Sequence, residues 1–439
     1  MLFSSSVFTA LAAFLVQRAQ ADCQLIGGNY YCSETTAIAY DNIGYSGSYS
    51  DVTNMDESSC KCSQDSVSFS GSMSPLDEEL SVHFRGPLKL SQFAVYYPAS
   101  GSKSSKKAKR DQSAETCTTT QHVHHVHKRA AAVEYVDVTS TVYANAGNGA
   151  AATSGAQDAQ PSASASSSAA QGAQGDSTSS TAASSASGSS SSASSGDWVR
   201  SSYYTPGTAT NVTFLNTLGG TDGSGTWSSC FGNSLSYCAS DGKSGASSAQ
   251  TLDDVTIESN TEFLVMSSSE CGDSSASGDC GYYRSGIPAF HGFGGADKIF
   301  FFEFQMPTDS SASGSNPDMP AIWLLNAKIP RTLQYGDSSC SCWSTGCGEL
   351  DLFEILSQGS DKLISHLHDG QGDNGSSQGG GGSQDYFARP VEDTMSAVAV
   401  FSGSTVMIAQ LDNSTSLGST ISESTVNSWL SQSASTADI

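Results

Sequence analysis

The chain has 439 residues, a formal net charge of −24 and a pI of about 4.4. This acidity argues against nucleic acid or an anionic membrane as a partner, because phosphates are bound by a basic face. No segment reaches the roughly 18 apolar residues of a transmembrane helix. The composition therefore favours a soluble extracellular protein that acts on a neutral polymer, in a chain too long for one ordinary core.

Residues 1–21 have the pattern of a secretory signal peptide. An apolar run from Val7 to Val16 precedes Ala19-Gln20-Ala21, a small-x-small cleavage pattern, and the run is too short to span a bilayer. We expect a secreted chain that begins near Asp22. The C-terminus has no hydrophobic tail, so a glycolipid anchor is not expected. Sequons for glycosylation on this route lie at Asn211, Asn374 and Asn413.

Residues 22–100 are predicted to form a small, disulfide-supported N-terminal β domain. Short β-type stretches, such as 67–69 and 93–97, lie among Gly, Ser and Asn. No motif indicates the function of this block. Its four cysteines are Cys23, Cys32, Cys60 and Cys62.

Residues 101–197 form a basic, His-rich processing region followed by a Ser/Ala-rich linker. The dibasic pairs Lys109-Arg110 and Lys128-Arg129 predict cleavage, favoured after Arg129, with an uncut basic linker as the alternative. The nearby histidine tract is more typical of an exposed stretch that presents the cleavage site than of a metal site. Residues 144–197 are almost wholly Ala, Ser, Gly, Gln and Thr, which cannot bury enough apolar surface to fold, so a disordered linker is predicted.

Residues 198–439 contain regularly spaced apolar stretches separated by Gly, Ser, Asn and Asp, with little helical periodicity. This pattern predicts an all-β sandwich. The predicted strands are 256–257, 262–266, 299–306, 321–325, 350–356, 395–401 and 405–411.

Three acidic residues, Glu349, Asp351 and Glu354, lie within six positions of an apolar run. Side chains alternate along a strand, so Glu349 and Asp351 share one face, whereas Glu354 would point to the other. A β-bulge near Leu352-Phe353 would return Glu354 to the first face. Such clustering is costly unless the site needs carboxyls with split pKa values, as a retaining glycosidase does.

Glu-x-Asp-x-x-Glu after Gly348, with Trp343 upstream, resembles the active-site strand of glycoside hydrolase family 16. The flanking segments 301–307 and 319–325, and His366-Leu367-His368, are similar to neighbouring strands of that family. The resemblance implies a concanavalin-like β-jelly roll and cleavage of β-1,3-glucan. It implies that Glu349 is the nucleophile, Glu354 the acid/base and Asp351 a helper. Trp323 and Trp343 become candidate sugar-stacking platforms and His368 a polar partner, with His366 less favoured.

The whole chain resembles the Tos1-like fungal cell-wall proteins, which combine a Cys-bearing N-terminal domain, a Ser/Ala-rich middle and a hydrolase-like C-terminal domain. We therefore expect a secreted cell-wall endo-β-1,3-glucanase that needs no cofactor and no metal. Two alternatives stay open: a glucan transglycosylase, and a glucan-binding wall mannoprotein with little turnover. Wall β-glucan is the expected partner in each case.

Cysteine counts predict a covalent link between the two parts of the chain. Seven of the 12 cysteines follow the linker and five precede it. Since both counts are odd, a disulfide between the parts is hypothesised, with Cys117 as a candidate, which would hold the halves together after dibasic cleavage. The plausible local pairs are Cys230–Cys238, Cys271–Cys280 and a disulfide in the loop of Cys340, Cys342 and Cys347.

Overall fold

The structure is a computed structural model and describes residues 23–99, 197–372, 379–412, 415 and 417–439. Several predicted features lie outside the described residues: the signal peptide proposed from the sequence, the dibasic region with Cys117, the Ser/Ala-rich linker, and the sequons at Asn374 and Asn413. No helix within the described ranges is long and apolar enough to cross a membrane.

The described residues form 25 strands and two α-helices. The strands before the linker are β1 (Gln24–Ile26), β2 (Asn29–Tyr31), β3 (Ala37–Tyr40), β4 (Gly47–Asp56), β5 (Lys61–Phe69), β6 (Leu80–Arg85) and β7 (Leu88–Pro98). The first strands after it are β8 (Trp198–Thr205), β9 (Thr208–Thr210), β10 (Thr213–Gly219), β11 (Trp227–Ser228), β12 (Gly232–Cys238), β13 (Gly245–Ala246), β14 (Thr256–Ile257), β15 (Glu262–Met266), β16 (Lys298–Gln305) and β17 (Ala321–Asn326). The remaining strands are β18 (Glu349–Glu354), β19 (Lys362–His368), β20 (Gly381–Gly382), β21 (Phe387–Ala388), β22 (Met395–Ser402), β23 (Thr405–Leu411), β24 (Thr420–Ile421) and β25 (Ser435–Thr436). The helices are α1 (Lys328–Thr332) and α2 (Glu423–Leu430), with short 3-10 turns at Ser338–Cys340 and Trp343–Thr345.

Two large sheets pack face to face. The first has the order β11-β12-β10-β15-β6-β17-β18-β19-β20, and the second has the order β24-β8-β7-β16-β22-β23-β3-β25. Alternate residues of both sheets, such as Phe84 and Ile322 from the first and Phe93 and Phe302 from the second, form one buried core. This confirms the all-β sandwich, and every predicted strand falls on an observed one.

The block 22–100 shares both sheets with the block 198–439. Strand β6 pairs with β15 on one side and β17 on the other, and β7 lies between β8 and β16. The sequence led us to expect a separate small N-terminal domain; the strand pairing instead places this block inside the sandwich. Apolar side chains recur through residues 80–98, the strands β6 and β7. These side chains are buried only when strands of the second block pair with β6 and β7.

The β4–β5 hairpin is a separate two-stranded sheet that is tied to the second block. Two disulfides hold it there, Cys60–Cys230 and Cys62–Cys340. Apolar residues of the hairpin, including Val52 and Met55, pack against Phe231 and Leu333. The hairpin is thereby fixed beside the loop that follows β17.

Among the local cysteine pairs, Cys271–Cys280 and Cys342–Cys347 are confirmed. The predicted Cys230–Cys238 pair is wrong. Cys230 lies in the turn before β12 and Cys238 ends that strand, whose seven extended residues span about 20 Å, well beyond disulfide reach. Cys230 instead bonds to Cys60, and Cys238 is a buried free thiol.

Candidate active site

The three acids lie on β18, an interior strand of the first sheet. In its register with β17, Glu349 is opposite Leu325, Asp351 opposite Trp323 and Glu354 opposite Ala321. The partners on β17 are alternate residues, so they share one face. All three acids therefore point to one face of the sheet, away from the sandwich core.

A β-bulge at Leu352 produces this arrangement. The register with β17 shifts between Ile322 and Trp323, which leaves Leu352 as the extra residue on β18. Leu352 and the next residue, Phe353, are both buried in the core, as a bulge requires. The predicted bulge is confirmed, and it re-aims Glu354 to the face of Glu349 and Asp351.

A glycine and a short disulfide loop start the strand at Glu349. Gly348 has φ +113°, a conformation that side chains disfavour, and its carbonyl accepts a hydrogen bond from Asn326 N. Just upstream, Cys342–Cys347 closes the loop that carries Trp343. The indole Nε1 of Trp343 donates to Glu349 Oε2 at 2.5 Å. The loop therefore orients the first carboxylate directly.

The predicted sugar-stacking residues differ in exposure. Trp343 is half-buried, and its ring lies 6.5 Å from that of His368. Trp323 is only 5% exposed and stacks on His83 with ring centroids 5.0 Å apart. Trp323 therefore forms part of the floor of the site, with little free surface for stacking on a sugar.

Histidines from β19 border the acids. His368 Nε2 lies 3.5 Å from Asp351 Oδ2, and His366 is directly opposite Asp351. The ligand atoms of Asp351, Glu354 and His366 lie within 4.8 Å of one another. Three such atoms could hold a cation, but Arg85 already places a positive charge on Glu354. Both histidines thus lie in the site.

Strand β6 contributes site residues that the sequence analysis missed. Arg85 Nη2 lies 3.1 Å from Glu354 Oε1, and Arg85 Nε donates to the carbonyl of Met319 at 2.7 Å. His83 lies on the same face and bonds to Ser81 Oγ at 2.8 Å. The available signal was the alternation Ser-Val-His-Phe-Arg, which places three polar side chains on one face of a buried strand.

Burial and mutual repulsion set the charge state of the site. Burial, followed by the charge of Asp351, raises the pKa of Glu349 to about 8. Burial and the charge of Glu354 raise the pKa of Asp351 well above its ordinary value, while Arg85 opposes that shift. Burial lowers the pKa of His83 to about 3, so this ring is neutral. The site thus combines two carboxyls whose ionisation is disfavoured, Glu349 and Asp351, with a third, Glu354, that is paired to Arg85.

The chain matches two family models. Residues 36–98 match "cell wall protein YJL171C/Tos1, N-terminal", and residues 196–429 match "cell wall protein YJL171C/Tos1, C-terminal". No solved structure is similar enough to count as a match.

Curated relatives cover nearly the whole chain. One from Saccharomyces cerevisiae, named "probable circularly permuted 1,3-beta-glucanase TOS1", is 54% identical over 99% of this chain and 98% of its own. One of the same name from Candida albicans is 50% identical over the full length of both. A relative from Arthroderma benhamiae, named "probable circularly permuted 1,3-beta-glucanase", is 36% identical over 88% of this chain and 86% of its own. The chain belongs to the YJL171C/Tos1 family of cell wall proteins.

Proposed function

We propose that this protein is a secreted cell-wall glycoside hydrolase that cleaves β-1,3-glucan internally with retention of configuration. The observation that carries the proposal is the bulge at Leu352, which brings Glu349, Asp351 and Glu354 to one sheet face. A retaining enzyme needs two carboxyl groups about 5–5.5 Å apart, one neutral and one ionised. The names of the curated relatives support β-1,3-glucan as the substrate.

The family resemblance assigns the steps as follows. Glu349 attacks the anomeric carbon while Glu354 protonates the departing sugar oxygen, which gives a glycosyl–enzyme ester. Glu354 then takes a proton from water, whose oxygen displaces Glu349. Asp351 lies between Glu349 and Glu354 on the strand. Its negative charge disfavours a second ionised carboxylate beside it, so it favours protonation of one of these neighbours.

A specific contact favours the exchanged roles. Arg85 stabilises the ionised form of Glu354, as a nucleophile requires. Burial raises the pKa of Glu349 to about 8, which suits a proton donor.

Reducing-end release from laminarin tests the hydrolase itself. Wild type should release reducing ends, and Glu349→Gln and Glu354→Gln should each lower the rate by about 10²–10⁴-fold. Glu303→Gln, on a strand of the second sheet, is the matched control and should leave the rate unchanged. Equal, near-zero release by wild type and Glu349→Gln would favour a glucan-binding wall protein. Products longer than the input oligosaccharide would identify transfer to a sugar acceptor.

Azide rescue separates the two role assignments. With an aryl β-glucan oligosaccharide as substrate, azide added to the nucleophile's Ala variant displaces the phenolate in one inverting step and forms an α-glycosyl azide. Azide added to the acid/base variant opens the glycosyl–enzyme ester and forms a β-glycosyl azide. An α product from Glu349→Ala supports Glu349 as the nucleophile, and an α product from Glu354→Ala supports the exchanged roles.

A further inference from the structure

A cavity of about 380 Å³ lies on the first sheet, away from the acids. Its walls come from β10, from β12 with the turn before it, and from the segment that begins in α1. Its lining includes Thr217, Phe231, Asn233, Pro330, Gln334 and Tyr335. The volume is within the range of small-ligand sites, about 300–1,000 Å³.

The cavity lies on the same sheet face as the acids. Residues directly opposite one another in adjacent strands point to the same side. From β18 to β10, the facing residues are Asp351, Trp323, His83, Leu264 and Leu215. Leu215 packs against Leu235, which lines the cavity. Four strand steps of about 4.8 Å separate the two sites, about 19 Å in all.

Contacting side chains connect the acids to the cavity wall. Arg85, which pairs with Glu354, extends its Nη1 to within 3.9 Å of Glu262 Oε1. The other carboxylate oxygen of Glu262 accepts a hydrogen bond from the Tyr335 hydroxyl at 2.8 Å. A row of polar side chains therefore runs across the sheet from Glu354 through Arg85 and Glu262 to Tyr335.

The chemistry of the cavity wall suits a sugar. Tyr335 as a residue is 59% exposed although its hydroxyl donates a hydrogen bond to Glu262, so much of this aromatic side chain is accessible from solvent. Gln334 Oε1 is buried and has no hydrogen-bond partner within the described part of the chain. An open aromatic surface beside an unused acceptor matches a pyranose, which has apolar faces and hydroxyl donors at its edge.

We propose that this cavity is a distal subsite that binds a glucose unit of a β-glucan chain whose cleaved linkage lies at the acids. The inference rests on the proposed function and specifies its substrate: a polymer or long oligosaccharide. A single sugar or a disaccharide cannot occupy both sites, because about 19 Å separates them.

The test compares kcat/KM for short and long β-1,3-linked glucose oligomers, the trisaccharide against the octasaccharide. In Tyr335→Ala the octasaccharide-to-trisaccharide ratio should fall about tenfold relative to wild type, which equals about 1.4 kcal/mol of lost binding. Tyr335→Phe keeps the ring and loses only the hydroxyl, so its ratio should stay near that of wild type. An unchanged octasaccharide-to-trisaccharide ratio in Tyr335→Ala overturns the subsite but not the proposed hydrolase activity. An equal fall of this ratio in both variants has the same meaning.

Calorimetric binding of the octasaccharide separates this proposal from the proposed function. If wild type cleaves no β-glucan, the hydrolase fails, and binding weakened by Tyr335→Ala but not by Tyr335→Phe still supports the subsite. If Tyr335→Ala does not fold, Gln334→Leu replaces it, and octasaccharide binding equal to wild type then overturns the subsite.

Discussion

Ionisation of Glu349 in the folded protein costs free energy, and the position of the side chain explains why. Its side chain is half-buried beside Asp351, and the charge of His368 and the indole N–H of Trp343 favour its ionised form less than burial and Asp351 oppose it. Ionisation inside the fold is therefore less favourable than in water, and burial followed by Asp351 raises the pKa to about 8. Folding thus favours the neutral acid over the anion.

Glu349→Gln should therefore stabilise the protein in a pH-dependent way. The pKa of Glu349 in the folded protein lies above the ordinary 4.5, so the folded state binds this proton more tightly than the unfolded chain does. The stability that comes from this proton is fully present below about pH 4.5 and is lost as pH rises through about 8. Glutamine is neutral at every pH. We expect this variant to exceed wild type by on the order of 2 kcal/mol at about pH 7, after a discount for solvent screening.

Thermal unfolding across pH measures this difference, which at neutral pH corresponds to about 3–6 °C in Tm. The advantage should vanish near pH 4, where wild-type Glu349 is itself neutral. Glu303→Gln, on the second sheet, should show no pH-dependent gain. Equal Tm values for wild type and Glu349→Gln at neutral pH would contradict an enclosed, raised-pKa carboxyl.

The residue scale also shows how far sequence reasoning reaches. The bulge at Leu352 was predictable because it is local: three acids and their apolar neighbours share six positions. Arg85 was not, since its partner Glu354 lies 269 positions away. Only the pairing of β6 with β17 brings Arg85 and Glu354 together. The alternation of polar and apolar residues within each segment predicts a strand but does not predict which strand pairs with it.

At the scale of elements, two disulfides perform different tasks. Cys342–Cys347 closes a loop with a separation of only 5 residues, and that loop carries Trp343 to Glu349. Cys62–Cys340 has a separation of 278 residues and ties the β4–β5 hairpin to the segment after β17. Loop-closure entropy grows with loop length, so the second bond restrains the unfolded chain far more.

Double Cys→Ser variants should separate these tasks. Removal of Cys62–Cys340 should lower the free energy of unfolding by about 5 kcal/mol, and removal of Cys342–Cys347 by about 2 kcal/mol. Removal of Cys342–Cys347 should nevertheless cause the larger fall in laminarin cleavage at a temperature where both variants are folded. This removal frees the Trp343 indole that orients Glu349. Denaturant unfolding and reducing-end release measure the two effects. Equal activity loss in both variants, once matched for folded fraction, would argue against an orienting role for the loop.

At the scale of the whole molecule, the block before the linker completes the sheets built by the block after it. Without β6, strands β15 and β17 would each lose a neighbour in the middle of the first sheet. Without β7, strands β8 and β16 would do so in the second. Unpaired central strands expose backbone groups and apolar surface, so neither block should fold alone. The sequence did not indicate that the two blocks share sheets, because a linker rich in Ser and Ala is typical of independently folded domains.

Cleavage between the two blocks should therefore leave the protein as one folded unit. We expect a protein cut at Lys128-Arg129, through an inserted specific protease site, to elute on gel filtration as the uncut protein does. Its halves share β6–β15, β6–β17, β7–β8 and β7–β16 pairings as well as Cys60–Cys230 and Cys62–Cys340. Under denaturing conditions the halves should separate only when a reductant is present.

Activity of the cut protein completes this test, because Glu354 and its partner Arg85 then belong to different chains. Laminarin cleavage by the cut form should match that by the uncut form, since the sheets and both disulfides survive the cut. A Cys60→Ser/Cys62→Ser variant removes both covalent links, so its halves should separate in denaturant without reductant. Separation of the cut Cys60→Ser/Cys62→Ser halves on native gel filtration would show that the shared strands do not hold them together. Such a result would also remove Arg85 from the site.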